Sequence, residues 1–255
     1  MSRGLGDVYK RQLNTLNIDK KNFQWSSSFS LSYNKNRIKH LFGDRQDIVD
    51  ANGTVVGSRE ADYVAAGWFI DKPISAIWDY KVTGIWQKDE VEEAKKYGQV
   101  PGDPKVWNNP ANDQYDADGN LVKVIYNDDD KVFQGQTAAP VTWALRNDFT
   151  LWKDLTLSVN IYSRMGHKSL ETDYLNKDNA GSKVTNGQNV YAKKGYWTVD
   201  NPTNEYGRLD AQGPSGVTTP GKLHNRSFIR LDNISLAYKP VSYTHLRAHE
   251  TSQDL

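Results

Sequence analysis

Two acidic runs and a set of loop aromatics are the residues whose types and spacing could do chemistry. Asp116-Ala117-Asp118-Gly119 has the carboxylates and turn glycine of a calcium loop. An EF-hand needs D-x-[DN]-x-[DN]-G-x5-E. Setting Gly119 as its glycine puts Gln114 at the first ligand position and Ile125 at the twelfth. The pattern fails at both, so the run reads as a hairpin turn. Asn127-Asp128-Asp129-Asp130 is a second run, read as solvated, with cation binding as the alternative. His40, His167 and His224 stand apart from one another and read as solvated or packed rather than as ligands or bases. No Ser/His/Asp set, His-Glu-x-x-His motif or phosphate loop occurs, and nothing selects a carboxylate pair for glycoside hydrolysis. Cys is absent, which removes thiolate chemistry and disulfides. The expectation is a chain that is not an enzyme and uses no cofactor and no metal.

The aromatics point to binding instead. Trp107, Tyr115, Tyr191, Tyr196, Trp197 and Tyr206 lie among Asn, Asp and Gly. Flat rings beside amides and carboxylates suit sugars, whose apolar faces stack on a ring while their hydroxyls take hydrogen bonds. The competing reading is that each ring anchors its loop by packing. Trp107, Tyr196, Trp197 and Tyr206 are the candidate ligand contacts. Trp197 is preferred because it adjoins Tyr196 in a Gly- and Asn-rich stretch.

The scaffold that must position these loops reads as β-structure. Lys and Arg number 32 and Asp and Glu 31, a net charge of +1 that gives nucleic-acid binding no support. Mean hydropathy is −0.74, and no run approaches the roughly 18 apolar residues of a spanning helix. The 8 Trp and 14 Tyr in so polar a chain suit an all-β protein, a soluble sandwich or a membrane barrel. Phe23–Tyr33 alternates apolar odd positions (Phe23, Trp25, Phe29, Leu31, Tyr33) with Gln24, Ser26, Ser28, Ser30 and Ser32. Its length fits the ~9–11 residues of a membrane-spanning strand better than the usual five or six of a soluble one. Val141–Leu151 and Leu155–Met165 alternate likewise, with the chain turning at Lys153-Asp154, as in the short turns at one end of outer-membrane barrels.

Further strands are expected at residues 73–87 and 226–239, the latter with a phase change near Asp232-Asn233 that predicts a bulge, and a shorter one at Tyr63–Ile70. A hairpin should turn at Asn52-Gly53 and a short helix should cover Asp89–Tyr97, capped by Asp89, braced by Glu92 and Lys96 and ended by Gly98. Gly166–Asn225 reads as a long polar loop, suspicious in a soluble domain but ordinary outside a barrel. Phe23, Trp25, Phe29, Leu31, Val141, Trp143, Leu145, Phe149, Leu157, Val159 and Ile161 are expected to face lipid.

The two ends read differently. SRGLGDVYKRQ (Ser2–Gln12) and VSYTHLRAHET (Val241–Thr251) can be encoded by opposite strands of one DNA segment, and the pair resembles a translated sequencing-library adapter. The expected organisation is adapter-like residues at 1–12 and 241–255 around a natural segment at 13–240. Without the ends, basic and acidic residues balance at 28 each. His245 and His249, an H-x-x-x-H pair, then carry no function.

Within that segment the residues resemble a family in order. WSSSFSLSYNKNRIKHL (Trp25–Leu41), PISAIWDYKVTGIWQKDEVEEAKKYG (Pro73–Gly98) and Val100-Pro101-Gly102-Asp103 resemble SusC/RagA-type TonB-linked outer-membrane proteins, or TonB-dependent receptors. So do Asp129-Asp130 with Gly135 and Pro140, Trp197-Thr198 with Asn201-Pro202-Thr203-Asn204, and SFIRLDNISLAYKP. The resemblance implies a late part of a barrel of about twenty-two strands: all-β, antiparallel and unclosed in this piece, with long extracellular loops. It implies the bacterial cell outer membrane, contact with its lipid, a SusD-like surface lipoprotein, TonB acting through an N-terminal part outside this segment, and import of oligosaccharides or peptides. The family's Asp-x-Asn-x-Asp-Gly run is replaced here by WNNPANDQYDADGNLVKVIYNDDD, so the resemblance carries no cation site onto these residues. A soluble extracellular β-sandwich that binds glycans is the alternative, and would need shorter strands in two facing sheets.

Overall fold

A computed structural model describes residues 3–175, 195–217 and 219–239. In chain order the strands are β1 (Arg3–Lys20), β2 (Phe23–His40), β3 (Arg45–Val49), β4 (Val55–Glu60), β5 (Ala76–Tyr80), β6 (Val82–Ile85), β7 (Pro104–Val106), β8 (Gln114–Tyr115), β9 (Leu121–Lys123), β10 (Lys131–Gln136), β11 (Val141–Leu151), β12 (Leu155–Met165), β13 (Lys168–Glu171), β14 (Lys222–Asn225) and β15 (Phe228–Tyr238). One α-helix, α1 (Val91–Lys96), occurs among the described residues. Among the described residues no helix is long and apolar enough to cross a membrane. The chain forms two compact units. One holds most of the main sheet (residues 8–33, 141–164 and 228–239), and the other the described residues of 3–7, 34–140 and 165–227.

The main sheet has five strands in the order β1-β2-β11-β12-β15 and is not closed. Alternation explains its register. Strand β11 pairs antiparallel with β2, so that Trp143 lies opposite Leu31, Leu145 opposite Phe29 and Phe149 opposite Trp25. One face therefore carries large apolar side chains from both strands, broken at Asn147 and Ser27. Trp25 stacks on Phe149 at 5.8 Å and Phe29 meets Trp143 at 6.3 Å, each pair contributing roughly 0.5–1.5 kcal/mol. The β11–β12 connection turns one residue earlier than expected. Trp152 and Lys153 take positive φ (50° and 70°), and Asp154 N–H closes the turn on Leu151 O at 3.2 Å. Two left-handed central residues match the right-handed twist of the flanking strands.

Strand β15 shows why its sequence changes phase. Asn233 pairs with Asn160, but Leu231 pairs with Ile161, leaving Asp232 as the extra residue of a bulge. The bulge restores the apolar phase: Ile229, Leu231, Ile234, Leu236 and Tyr238 lie opposite Ser163, Ile161, Val159, Leu157 and Leu155. These five β15 residues are 55–68% exposed. Asn147 is the polar interruption of the apolar face. It sits opposite Ser27, and its Oδ1 accepts from Trp25 Nε1 (3.0 Å) and Ser27 Oγ (2.6 Å). Leu at 147 would fit the pattern but strand both donors. Asn147→Leu is expected to cost about 1 kcal/mol, the scale of intramembrane polar contacts. A denaturation midpoint equal to or above wild type would show that the two donors need no partner.

The other unit corrects several expectations. Residues 73–87 do not form one long strand. Lys81 divides β5, which pairs with β10, from β6, which pairs with β7. The cause is burial on both sides: Ile77 and Ile85, which broke the expected polar face, are 5% and 0% exposed. Tyr63–Ile70 is a 3-10 turn at Val64–Ala66 spanned by a Tyr63–Trp68 bridge, with Gly67 in the left-handed region that ends it. The helix is shorter than expected. A 3-10 turn at Lys88–Glu90, boxed by Gln87 and Glu90, leads into it, its N-cap is Glu90 rather than Asp89, and its ion pairs join Lys95 to Glu92 and Lys96 to Glu93 at i,i+3. Gly98 ends it at φ 68°. The hairpin at Asn52-Gly53 forms as β3 and β4. Gly166–Asn225 is not one structureless loop: β13 and β14 pair across it, and Tyr174 and Leu175 are buried.

Candidate ligand-contacting loops

The two acidic runs brace turns. Asp116 Oδ1 accepts from the N–H groups of Asp118 (3.0 Å) and Asn120 (2.8 Å), and its Oδ2 accepts from Asn120 Nδ2 (3.0 Å). These donors, led by the Asn120 N–H, hold its carboxyl below the usual range. The hairpin of β8 and β9 follows, so this run is a turn. Asp130 is fully buried rather than solvated. Its oxygens accept from the N–H groups of Asn109 (2.7 Å) and Asn127 (2.7 Å), which ties the Trp107–Asn109 segment to the second run.

A second carboxylate joins the loops that carry the aromatics. The turn at Pro101–Asp103 and the stretch from Trp197 to Gln212 are far apart in sequence. Asp103, 2% exposed, accepts from Arg208 Nε and Gln212 N–H through Oδ1 (2.9 Å each) and from Val100 N–H through Oδ2 (3.1 Å). Gln99 works in parallel, accepting from Trp86 Nε1 and donating to the carbonyls of Pro104 and Gln212, all at 2.9 Å. Asn204 Oδ1 accepts from Ile85 N–H at 2.9 Å. Gly102, at φ 93°, is required by proximity as well as by conformation: a Cβ there would lie 2.7 Å from both Arg208 Cβ and Trp197 Cε3. Asp103→Asn keeps one acceptor but loses the charge opposite Arg208. A loosening of about 1–2 kcal/mol is expected, read as faster amide exchange at Gln212 and Arg208. Unchanged exchange would mean that packing alone holds the loops.

The aromatic candidates divide on this scaffold. Trp197 is inside, 8% exposed, in a cluster with Ile85, Tyr174, Leu175 and Ala211, and its indole N–H donates to Gln87 Oε1 at 3.0 Å. Its ring is occupied by packing and shows solvent almost no face. Tyr206 packs against the same cluster, and a parallel bridge joins it to Tyr196. Tyr196 and Trp107 are exposed, at 37% and 39%, as is Tyr115. Tyr191 lies outside the described residues. The Tyr174 phenol, donating to Pro220 O at 2.7 Å, is pushed up by burial, as is that of Tyr126. Both hydroxyls stay neutral and structural.

Comparison with known proteins agrees with this architecture. No family model matches the chain. A TonB-dependent receptor of Formosa agariphila is 26% identical over 233 residues, 89% of this chain and 21% of that relative. The RagAB peptide transporter structure aligns with 91% of this chain and 22% of its own at 21% identity and a TM-score of 0.54. The fold is that of a SusC/RagA-type TonB-dependent receptor barrel segment. The RagAB peptide importer in its open-open state gives 19% identity, the same coverage and a TM-score of 0.53. The chain therefore spans about a fifth of the length of the relatives it matches. Those relatives are receptors and transporters by name, and no enzyme is among them.

Proposed function

We propose that this chain is part of a transporter in the bacterial cell outer membrane that imports oligosaccharides or peptides with a SusD-like lipoprotein and TonB. The observation that carries the proposal is the open, long-stranded antiparallel sheet with one apolar face, aligned with the RagAB peptide transporter over nine-tenths of the chain. A glycan-binding sandwich needs two facing sheets. Among the described residues every sheet other than the main one has only two strands. The sheet's apolar face meets lipid in this reading, and the loops of the second unit supply contacts.

Trp107 and Tyr196 are the proposed ligand contacts, because their rings combine exposure with a braced backbone. Tyr206 and Trp197 hold that backbone from within. In the intact parent, Trp107→Ala and Tyr196→Ala should each weaken binding of the transported oligosaccharide or peptide by about 5–30-fold, one stacked ring at roughly 1–2 kcal/mol, with barrel stability unchanged. Binding and uptake at wild-type levels in the double variant would reject these contacts. Failure of the intact parent to migrate as a heat-modifiable species in detergent would reject the barrel itself. Residues 1–12 and 241–255 are proposed to be adapter-derived. Reading the genomic locus across positions 12 and 241 tests this.

A further inference from the structure

A three-residue cluster, distinct from the acidic runs and from the aromatic loops, has the composition of a metal site. We propose that Glu171, Asp173 and His224 bind a divalent transition-metal cation of the zinc type through one imidazole nitrogen and two carboxylate oxygens. The hairpin of β13 and β14 assembles them. His224 pairs with Ser169 and Lys222 with Glu171, so Ser169, Glu171 and His224 share one face, and Asp173 follows two residues beyond Glu171. One ligating atom from each of the three lies within 4.8 Å of the others. Metal–ligand bonds of about 2.0–2.2 Å in a tetrahedral shell put ligand atoms about 3.4 Å apart. Side-chain adjustments of up to about 1 Å would therefore close the set on an ion.

A second observation singles out the histidine. His224 Nε2 is buried and has no hydrogen-bond partner among the described residues, a costly state for a ring nitrogen that a metal bond would relieve. Charge favours a cation as well. Lys222, directly opposite Glu171, sends its ammonium to the carbonyls of Asn204 (2.7 Å) and Glu205 (3.1 Å) and does not neutralise the cluster. Arg226 competes for Glu171. It forms an ion pair with Glu171 Oε1, the oxygen that also accepts from Ser169 Oγ at 3.1 Å. Oε2 accepts no hydrogen bond among the described residues and is the oxygen available to a metal. One imidazole with two carboxylates suits zinc rather than calcium, which prefers an all-oxygen shell of six or more ligands. With three protein ligands, water completes the coordination.

The test uses the intact parent protein in detergent, stripped with chelator and titrated with zinc against a chromophoric competitor. His245 and His249 are replaced by Ala if that tail is retained. The expected result is one zinc per chain, with affinity at least about tenfold weaker in His224→Ala and in Asp173→Asn. Arg226→Ala should tighten zinc binding several-fold by releasing Glu171, which an incidental surface site would not show. Heat-modifiable migration establishes that each variant is folded. If His224→Ala fails to fold, the Arg226→Ala titration decides, and unchanged or weaker binding there overturns the site. So does zinc binding by a folded His224→Ala protein equal to wild type, or no zinc bound by the wild-type protein.

Discussion

Trp197→Ala is expected to loosen the loop unit by about 3–5 kcal/mol, the range for truncating a buried aromatic to Ala. The ring fills a site bounded by Ile85, Tyr174, Leu175 and Ala211, with Gly102 pressed against its edge. Gly102 and Ala211 have no side-chain length with which to refill the space. Removal also strands Gln87 Oε1, which accepts from the indole. The quantity to measure is local opening by hydrogen exchange at Tyr174, Leu175 and Gly207, because loops can open while barrel strands stay paired. Exchange in β11 and β12 should be unchanged. Any loss of ligand binding in this variant should be matched by the extra opening of the loops. Tyr196→Ala, which removes an exposed ring, should weaken binding without that opening. A Trp197→Ala protein whose loops open within about 0.5 kcal/mol of wild type would show that the indole is dispensable to the core, and weakened binding in that protein would then mark it as a direct ligand contact.

The contrast between these two adjacent rings marks where sequence reading stops. Trp197 and Tyr196 sit side by side in a polar stretch, and nothing local distinguishes them. What separates them is which neighbour arrives from elsewhere: Ile85 from β6 and Tyr174 from the turn after β13. Residues 73–87 failed for a related reason. Period-2 alternation reports a strand whose two faces meet different surroundings. Ile77 and Ile85 are covered on the faces expected to be polar, and the pattern blurred into a single long strand. Where the two faces do differ, alternation read the fold well. The β11–β12 hairpin, strand β2 and the bulge at Asp232 all follow from counting apolar positions, while the pairing of β2 with β11 does not. The Glu171–Asp173–His224 cluster was beyond any spacing rule, because about fifty residues separate its two halves and only the pairing of β13 with β14 joins them.

Val159→Arg tests the reading of the sheet itself, with an expected cost of about 2–4 kcal/mol in the intact, membrane-inserted parent. Val159 lies near the middle of β12, opposite Ile234, with Leu157 and Ile161 two residues away on the same face. If that face meets lipid, an arginine here has water at neither end of its reach, and its charge must be carried into hydrocarbon. The neighbouring position supplies the control. Asn160 points to the other face, where its amide donates to Asp232 Oδ2 at 3.2 Å. An arginine at 160 would meet a carboxylate and, inside a barrel, water. Asn160→Arg should therefore cost less than about 1 kcal/mol. The difference between the two substitutions, measured as the shift in denaturant midpoint on refolding into bilayers, carries the argument because both change size and charge alike. A soluble sheet buried against a protein core would also reject arginine at 159, but it would do so equally in detergent-free buffer, where the intact parent of a barrel does not stay folded. A cost at 159 below about 0.5 kcal/mol, or equal costs at the two sites, would mean that the apolar face of β2, β11, β12 and β15 does not meet lipid.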